Sequence, residues 1–196
     1  MTRYSLAFLA LCLAAPASGA TVACPSPAAA GVTAISTTDS FDADVLYLPT
    51  PQHAVEAMLR LATVGPKDVV YDLGSGDGRI VIAAAQLYGT RAVGIELNAR
   101  MIERARCNAR AAGVEHLVEF RQQDMFKADL REASVVTLFL FPELNLRLRK
   151  KLLSELRPGA RIVSHRFGIG DWAPELTIES EGNPLLLWTV PPRHSR

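Results

Sequence analysis

Between Val69 and Arg79 the chain reads Val-Val-Tyr-Asp-Leu-Gly-Ser-Gly-Asp-Gly-Arg, an apolar strand that ends near Asp72, turns through glycines and opens a helix near Arg79. Glycines at Gly74, Gly76 and Gly78 let a ligand lie against bare backbone, with Ser75 and Asp77 carried between them. A second apolar run, Ala92 to Ile95, ends on Glu96, 22 positions after Gly74. A carboxylate at that place and spacing can accept from both hydroxyls of a ribose. The dinucleotide fingerprint G-x-G-x-x-G wants a third glycine where this chain holds Arg79. Asp72 and Asp77 would repel a pyrophosphate, but they suit a cofactor that carries an ammonium and a sulfonium.

The elements that must hold these residues alternate. Strands are expected at 69–73, 92–96, 117–121, 135–140 and 160–164, with helices near 79–88, 98–112 and 144–156. That alternation predicts a parallel sheet covered on both faces. An earlier helix follows Leu46-Tyr47-Leu48-Pro49-Thr50-Pro51, capped by Thr50, striped by Val55, Met58, Leu59 and Ala62, and stopped by Gly65-Pro66. Two closing strands, 176–181 and 185–190, are separated by Gly182-Asn183-Pro184 and are expected to pair as an antiparallel hairpin.

In open sheets of this kind ligands bind beyond the carboxyl ends of the strands. The third strand ends at Gln123-Asp124-Met125 and the fourth at Phe141-Pro142-Glu143-Leu144-Asn145. The fifth runs into Ser164-His165-Arg166-Phe167. Glu143 is a candidate to orient an amine, or else a solvated acid at a helix start. His165 is a candidate base or hydrogen-bond partner. Trp172 reads as core in preference to a substrate wall.

The motif from Asp72 to Gly78 resembles the first motif of the class I S-adenosylmethionine-dependent methyltransferases. A closer resemblance rests on Tyr47-Leu48-Pro49-Thr50-Pro51, on Asp72 through Val81, on Gly94-Ile95-Glu96-Leu97-Asn98 and on Val163-Ser164-His165-Arg166-Phe167. Together these are similar to the small family containing the mitochondrial lysine methyltransferases of the ATP synthase c subunit and the adenine nucleotide translocator. The resemblance implies an α/β, Rossmann-like sheet of five parallel strands plus a C-terminal antiparallel hairpin, with helices on both faces. It implies S-adenosyl-L-methionine as cofactor, held by Asp72, Gly74, Ser75, Gly76, Asp77, Gly78 and Glu96. Asp124 would then accept from the adenine amino group, with Met125 packed on the ring. The acceptor would be a protein lysine, deprotonated in an apolar channel near Tyr47, Phe141 and Phe167, with Tyr47, Glu143 and His165 as the catalytic candidates. An Asn-Pro-Pro-Tyr tetrad, the mark of many enzymes that methylate nucleic-acid or glutamine nitrogens, is absent after the fourth strand. A small-molecule or lipid acceptor, or a non-catalytic module that kept the fold, stays open.

The chain of 196 residues has 49% hydrophobic residues and a formal charge of +1, enough apolar content for a sizeable core and no electrostatic footprint for nucleic acid. Cys12, Cys24 and Cys107 lack metal-ligand spacing, so no metal is expected. Arg3, the apolar run Leu6 to Ala15 and the small residues Ser18 and Ala20 have the layout of a signal peptide over 1–20, too short to span a bilayer. Residues 21–40 read as a flexible linker and 41–196 as the methyltransferase domain, expected to be a monomer without a stable membrane span. Export would make the mature chain periplasmic or secreted, whereas a mis-assigned start would leave it cytoplasmic. Cys107 lies on a predicted helix and Cys24 in a flexible leader, which argues against pairing them.

Overall fold

The computed structural model describes residues 49–192, so the expected leader, the linker and Tyr47 lie outside the described residues. In chain order the elements are α1 (Gln52–Leu61), β1 (Val69–Leu73), α2 (Arg79–Tyr88), β2 (Arg91–Glu96), α3 (Ala99–Ala111) and β3 (Val118–Gln122). They continue as β4 (Val135–Leu138), α4 (Pro142–Glu155), β5 (Arg161–His165), β6 (Leu176–Ser180) and β7 (Asn183–Thr189). One sheet collects all the strands in the order β3-β2-β1-β4-β5-β7-β6. β1 to β5 are parallel, and β7 runs antiparallel to both its neighbours.

β1 is central, with Asp72 opposite Gly94 on one side and Thr137 on the other. Covered on both faces, it reads as a nearly continuous apolar run, with no alternation of polar residues. The chain winds outward from β1 to β3 and then returns to β4 on the other flank. The strand order therefore reverses between β1 and β4, and a crevice opens there at the carboxyl ends.

Strand alternation divides the core into two layers. Val70, Ala92, Val135 and Val163 pack with α1, α2 and α3, while Tyr71, Val93, Val136 and Ile162 pack with α4 and Ala128 to Ala133. By the same period, Asp72, Thr137 and His165 share the face that carries α1. α2 buries Ile80 through Ala85, and a fully buried side chain such as Val81 contributes roughly 1.5–3 kcal/mol.

Several boundaries differ from the sequence expectation. Thr50 does not cap α1: the N-cap is Pro51, and Thr50 is buried with its carbonyl accepting from Arg79 Nη1 at 2.8 Å. α4 starts two residues early because Pro142, with its fixed φ, suits the first turn, which leaves β4 ending at Leu138. α3 begins just after Asn98, whose Oδ1 accepts from Arg100 N at 2.9 Å. The hairpin turn is Glu181-Gly182, with φ of 47° and 77°, so Asn183 and Pro184 belong to β7. Two consecutive positive φ angles match the twist of paired strands, and a two-residue turn therefore displaced the longer one expected. Cys107, expected to stay unpaired, is disulfide-bonded, and the other cysteines of the chain lie outside the described residues. A helical position fixes the backbone but leaves Sγ free to meet a partner sulfur.

Candidate functional site

The turn after β1 holds its shape through left-handed glycines: Gly74, Gly76 and Gly78 have φ of 79°, 52° and 81°. Gly74 N and Ser75 N both donate to the Ile95 carbonyl, at 2.8 and 3.0 Å, which lays the turn across the end of β2. A Cβ on Gly78 would stand 2.7 Å from the Phe120 ring, so neither space nor φ admits a side chain there. Gly94 is as constrained from the strand side, where a Cβ would stand 2.6 Å from Ser75 Oγ.

Glu96 closes this turn. Its Oε2 accepts from Gly76 N at 2.9 Å, while Oε1 accepts from Leu97 N and Asn98 N, each at 2.9 Å. The carboxylate expected at the tip of β2 is thus fixed by backbone amides and only half-buried. Gln123 N donates to the Glu96 carbonyl at 3.0 Å, which brings Asp124 to the neighbouring strand end. Asp124 Oδ1 accepts from Phe126 N at 2.9 Å, a local cap of the turn it starts, and Met125 packs half-buried on the second core layer.

The acids are not equivalent. Asp72 is buried and accepts from Thr137 Oγ1 at 2.7 Å. Burial pushes its carboxyl up to about 7 against the pull of the Thr137 hydroxyl, and the charges of Glu96 and Asp77 act in the same direction as burial. Asp77, in contrast, accepts from Arg79 Nε at 2.9 Å and Nη2 at 2.7 Å, so a cation within the turn answers its charge. Of the two acids that suited a cationic ligand in sequence, Asp72 is the one whose charge the turn leaves uncompensated. Ser75 Oγ is buried with no hydrogen-bond partner among the described residues.

A second group gathers at the ends of β4 and β5. The His165 ring lies 4.4 Å from Phe139, Phe139 stacks at 6.5 Å on Phe167, and Phe141 lies 6.1 Å from Phe167. His165 is 3% exposed and its Nδ1 has no partner among the described residues. Burial, helped by the charges of Arg166 and His53, lowers its imidazole to about 4, so it is neutral at physiological pH. Glu143 is exposed in the first turn of α4, where it complements the helix dipole, and no hydrogen bond or ion pair joins it to this cluster. Trp172 packs on the core, its carbonyl accepting from Trp188 Nε1 at 2.9 Å.

Three participants were not singled out from sequence. Thr137 holds Asp72, and Phe139 faces His165. Asn145 is fully buried and donates from Nδ2 to the carbonyls of Phe167 and Gly168, at 3.3 and 3.2 Å, fixing the loop after β5. Two-residue alternation from Thr137 could have pointed to Phe139; nothing local marked Asn145.

A glycine cradle at a helix start, an amide-fixed acid on β2 and an uncompensated buried acid on β1 fit a nucleoside whose other end is cationic. With the reversed strand order and the antiparallel closing pair, they define a class I S-adenosylmethionine-dependent methyltransferase. Residues 72–176, more than half of the chain, match the ANTKMT methyltransferase domain. A protein-lysine N-methyltransferase of Saccharolobus islandicus is 43% identical over 143 residues, covering 72% of this chain and 89% of the relative. The mouse adenine nucleotide translocase lysine N-methyltransferase is 41% identical over 138 residues, covering 70% of this chain and 59% of the mouse protein. A crystal structure described as an RNA methyltransferase from Salinibacter ruber, in complex with S-adenosyl-L-homocysteine, superposes with a TM-score of 0.74 at 52% identity. That match covers 76% of this chain and 97% of the other. The chain belongs to the ANTKMT methyltransferase-domain family, and S-adenosylmethionine is its cofactor.

Proposed function

We propose that this chain transfers a methyl group from S-adenosylmethionine to a protein lysine. The observation that carries the acceptor is the buried Nδ1 of His165, without a partner among the described residues, inside the Phe139, Phe141 and Phe167 cluster, at the carboxyl edge that also holds the cofactor turn. The lysine named for the archaeal and mouse relatives supports it.

When bound, the cofactor supplies a methyl carbon already activated by its sulfonium. The N–C bond forms as the S–C bond breaks, and the bonding pair returns to sulfur. Glu96 would take the ribose hydroxyls, Asp124 the adenine amino group through its second oxygen, and Met125 would pack on the ring. Asp72 faces the cationic end. A lysine ammonium, with a free pKa of about 10.4, must shed its proton first, and the aromatic cluster favours the neutral amine by desolvation. A histidine lowered to about 4 is neutral at pH 7, so its unprotonated ring nitrogen accepts a hydrogen bond from that amine but does not take up its proton. His165 therefore orients the nucleophile and the proton leaves to water. Holding the amine in line at near-contact distance contributes several kcal/mol. Glu143, exposed in the first turn of α4, attracts the incoming ammonium, and Tyr47, outside the described residues, keeps the amine-binding role that the sequence resemblance implies.

The Salinibacter structure's description favours one rival, an RNA acceptor. Against it, three arginines bearing on the sheet are tied to acids, Arg79 to Asp77, Arg121 to Glu119 and Arg161 to Asp68. The test supplies labelled S-adenosylmethionine with separate protein and RNA pools. Label in protease-sensitive material that yields methyl-lysine on hydrolysis is expected. Label that is removed by ribonuclease, or that enters only small molecules, contradicts the lysine reading.

Export is the second part of this reading, with a monomeric mature chain beginning after Ala20. The three-part leader supports it. N-terminal sequencing of the accumulated protein is expected to start at Thr21, and an intact Met1 in the cytosolic fraction contradicts it.

A further inference from the structure

Arg79 stands where a dinucleotide site would have its third glycine, and its three nitrogens reach two separate parts of the molecule. Nε and Nη2 fork onto Asp77 of the cofactor turn, while Nη1 donates to the Thr50 carbonyl at 2.8 Å. Thr50 is 4% exposed and immediately precedes Pro51, the N-cap of α1, which has no side-chain cap of its own. The first turn of α1 has a second tie at this edge, His53 Nε2 to Glu181 Oε2 at 3.2 Å in the hairpin turn. Asp77 is itself anchored from α3, its carbonyl accepting from Asn108 Nδ2 at 2.9 Å. One guanidinium therefore spans from the turn that carries the cofactor to the helix that lies over His165.

We propose that Arg79 is a positioning residue that couples cofactor occupancy of the Gly74–Gly78 turn to the placement of the α1 N-terminus. A ligand that draws the turn into one geometry fixes Asp77, Asp77 fixes the planar fork, and the remaining nitrogen fixes Thr50. Lysine cannot substitute, because an ammonium lacks the geometry to hold a carboxylate bidentately and a carbonyl beyond it. The proposal rests on the cofactor reading of the turn, and it adds order at the acceptor side of the site when cofactor is bound.

The experiment is hydrogen exchange of residues 51–62 in the full chain, with and without S-adenosyl-L-homocysteine, for the wild type, Arg79→Lys and Arg79→Met. Calorimetry with the same ligand and thermal melts run alongside. In the wild type the ligand is expected to slow exchange at the start of α1 roughly tenfold, a typical coupling. Both variants are expected to lose that response and to bind roughly tenfold more weakly. Asp77→Asn, which leaves Arg79 in place but weakens the fork, is expected to reduce the response in the same direction. Lowered melting with the ligand response retained in Arg79→Lys and Arg79→Met would mean a purely structural residue and would overturn the proposal. So would ligand binding to the wild type without any change at α1. Failure of the wild type to bind the ligand at all overturns the cofactor reading itself.

Discussion

Asp68 and Asp72 stand at opposite ends of the same central strand, and their surroundings are opposite too. Just before β1, Asp68 pairs with Arg161 and accepts from Ser134 Oγ at 2.7 Å and Gly65 N at 2.8 Å, while its carbonyl accepts from Thr90. Arg161 continues to the Ala62 and Thr63 carbonyls at 2.6 and 3.0 Å, tying α1 to β5. Although its burial works against it, the hydrogen bonds and Arg161 hold the Asp68 carboxyl below its ordinary value. At the other end Asp72 has one hydroxyl and two like charges around it, and it is raised to about 7. The buried polar atoms without partners among the described residues, Ser75 Oγ, Asn145 Oδ1 and His165 Nδ1, follow β1, the start of α4 and the end of β5, all toward the carboxyl edge. The amino edge satisfies its polar groups and contributes stability; the carboxyl edge leaves them open toward a ligand.

The sharpest break of this contrast is Glu96→Ala. It removes the ribose acceptor and leaves three amides without their carboxylate, and calorimetry is expected to show at least about a hundredfold loss of S-adenosyl-L-homocysteine affinity from a folded protein. Asp68→Ala is the converse. Urea unfolding is expected to show a loss of roughly 2 kcal/mol while the ligand affinity of the remaining folded protein stays put.

A smaller effect separates the two aspartates by pH, with opposite signs. Asp72 has a folded pKa above its unfolded value of 3.8, so the apoprotein gains stability as pH falls from about 7 toward 4. Asp72→Asn is expected to flatten that slope in unfolding titrations. The folded pKa of Asp68 lies below 3.8, so its contribution is present above that pH and is lost as pH falls through the folded value. Asp68→Asn is expected to change stability near neutrality and to leave the region between pH 4 and 7 parallel to the wild type. The smallest effect is at the acceptor group: His165→Gln is expected to lower kcat about tenfold with little change in cofactor affinity. Because His165 is neutral, no titration near 6.5 from this residue is expected in the kcat/KM profile.

The cofactor half of the site was legible because it is local. Strand, turn, helix and acid follow one another within Val69 to Glu96, and spacing alone places them. The acceptor half was legible only in part: His165, Phe141 and Phe167 stand at strand ends that the alternation of elements marks, whereas Phe139 and Asn145 join them only when β4, α4 and β5 pack. Asp77 shows a different limit: its type suggested a cation-binding acid, but Arg79 two residues later takes its charge. Thr50 misled for a similar reason, because a cap signal in sequence does not reveal that Arg79 fixes the carbonyl and burial turns the residue inward. The hairpin turn slipped by two residues because Asn183-Pro184 reads as a stop, although Pro184 in β7 needs no amide and only accepts from Arg166 N at 2.8 Å.

The most direct test of this division of labour is calorimetric titration of the wild type, Glu96→Ala and Asp68→Ala with S-adenosyl-L-homocysteine. Wild-type affinity is expected on the order of micromolar, retained in Asp68→Ala and lost in Glu96→Ala. Equal affinities in Glu96→Ala and the wild type, or equal losses at both edges, would contradict that division.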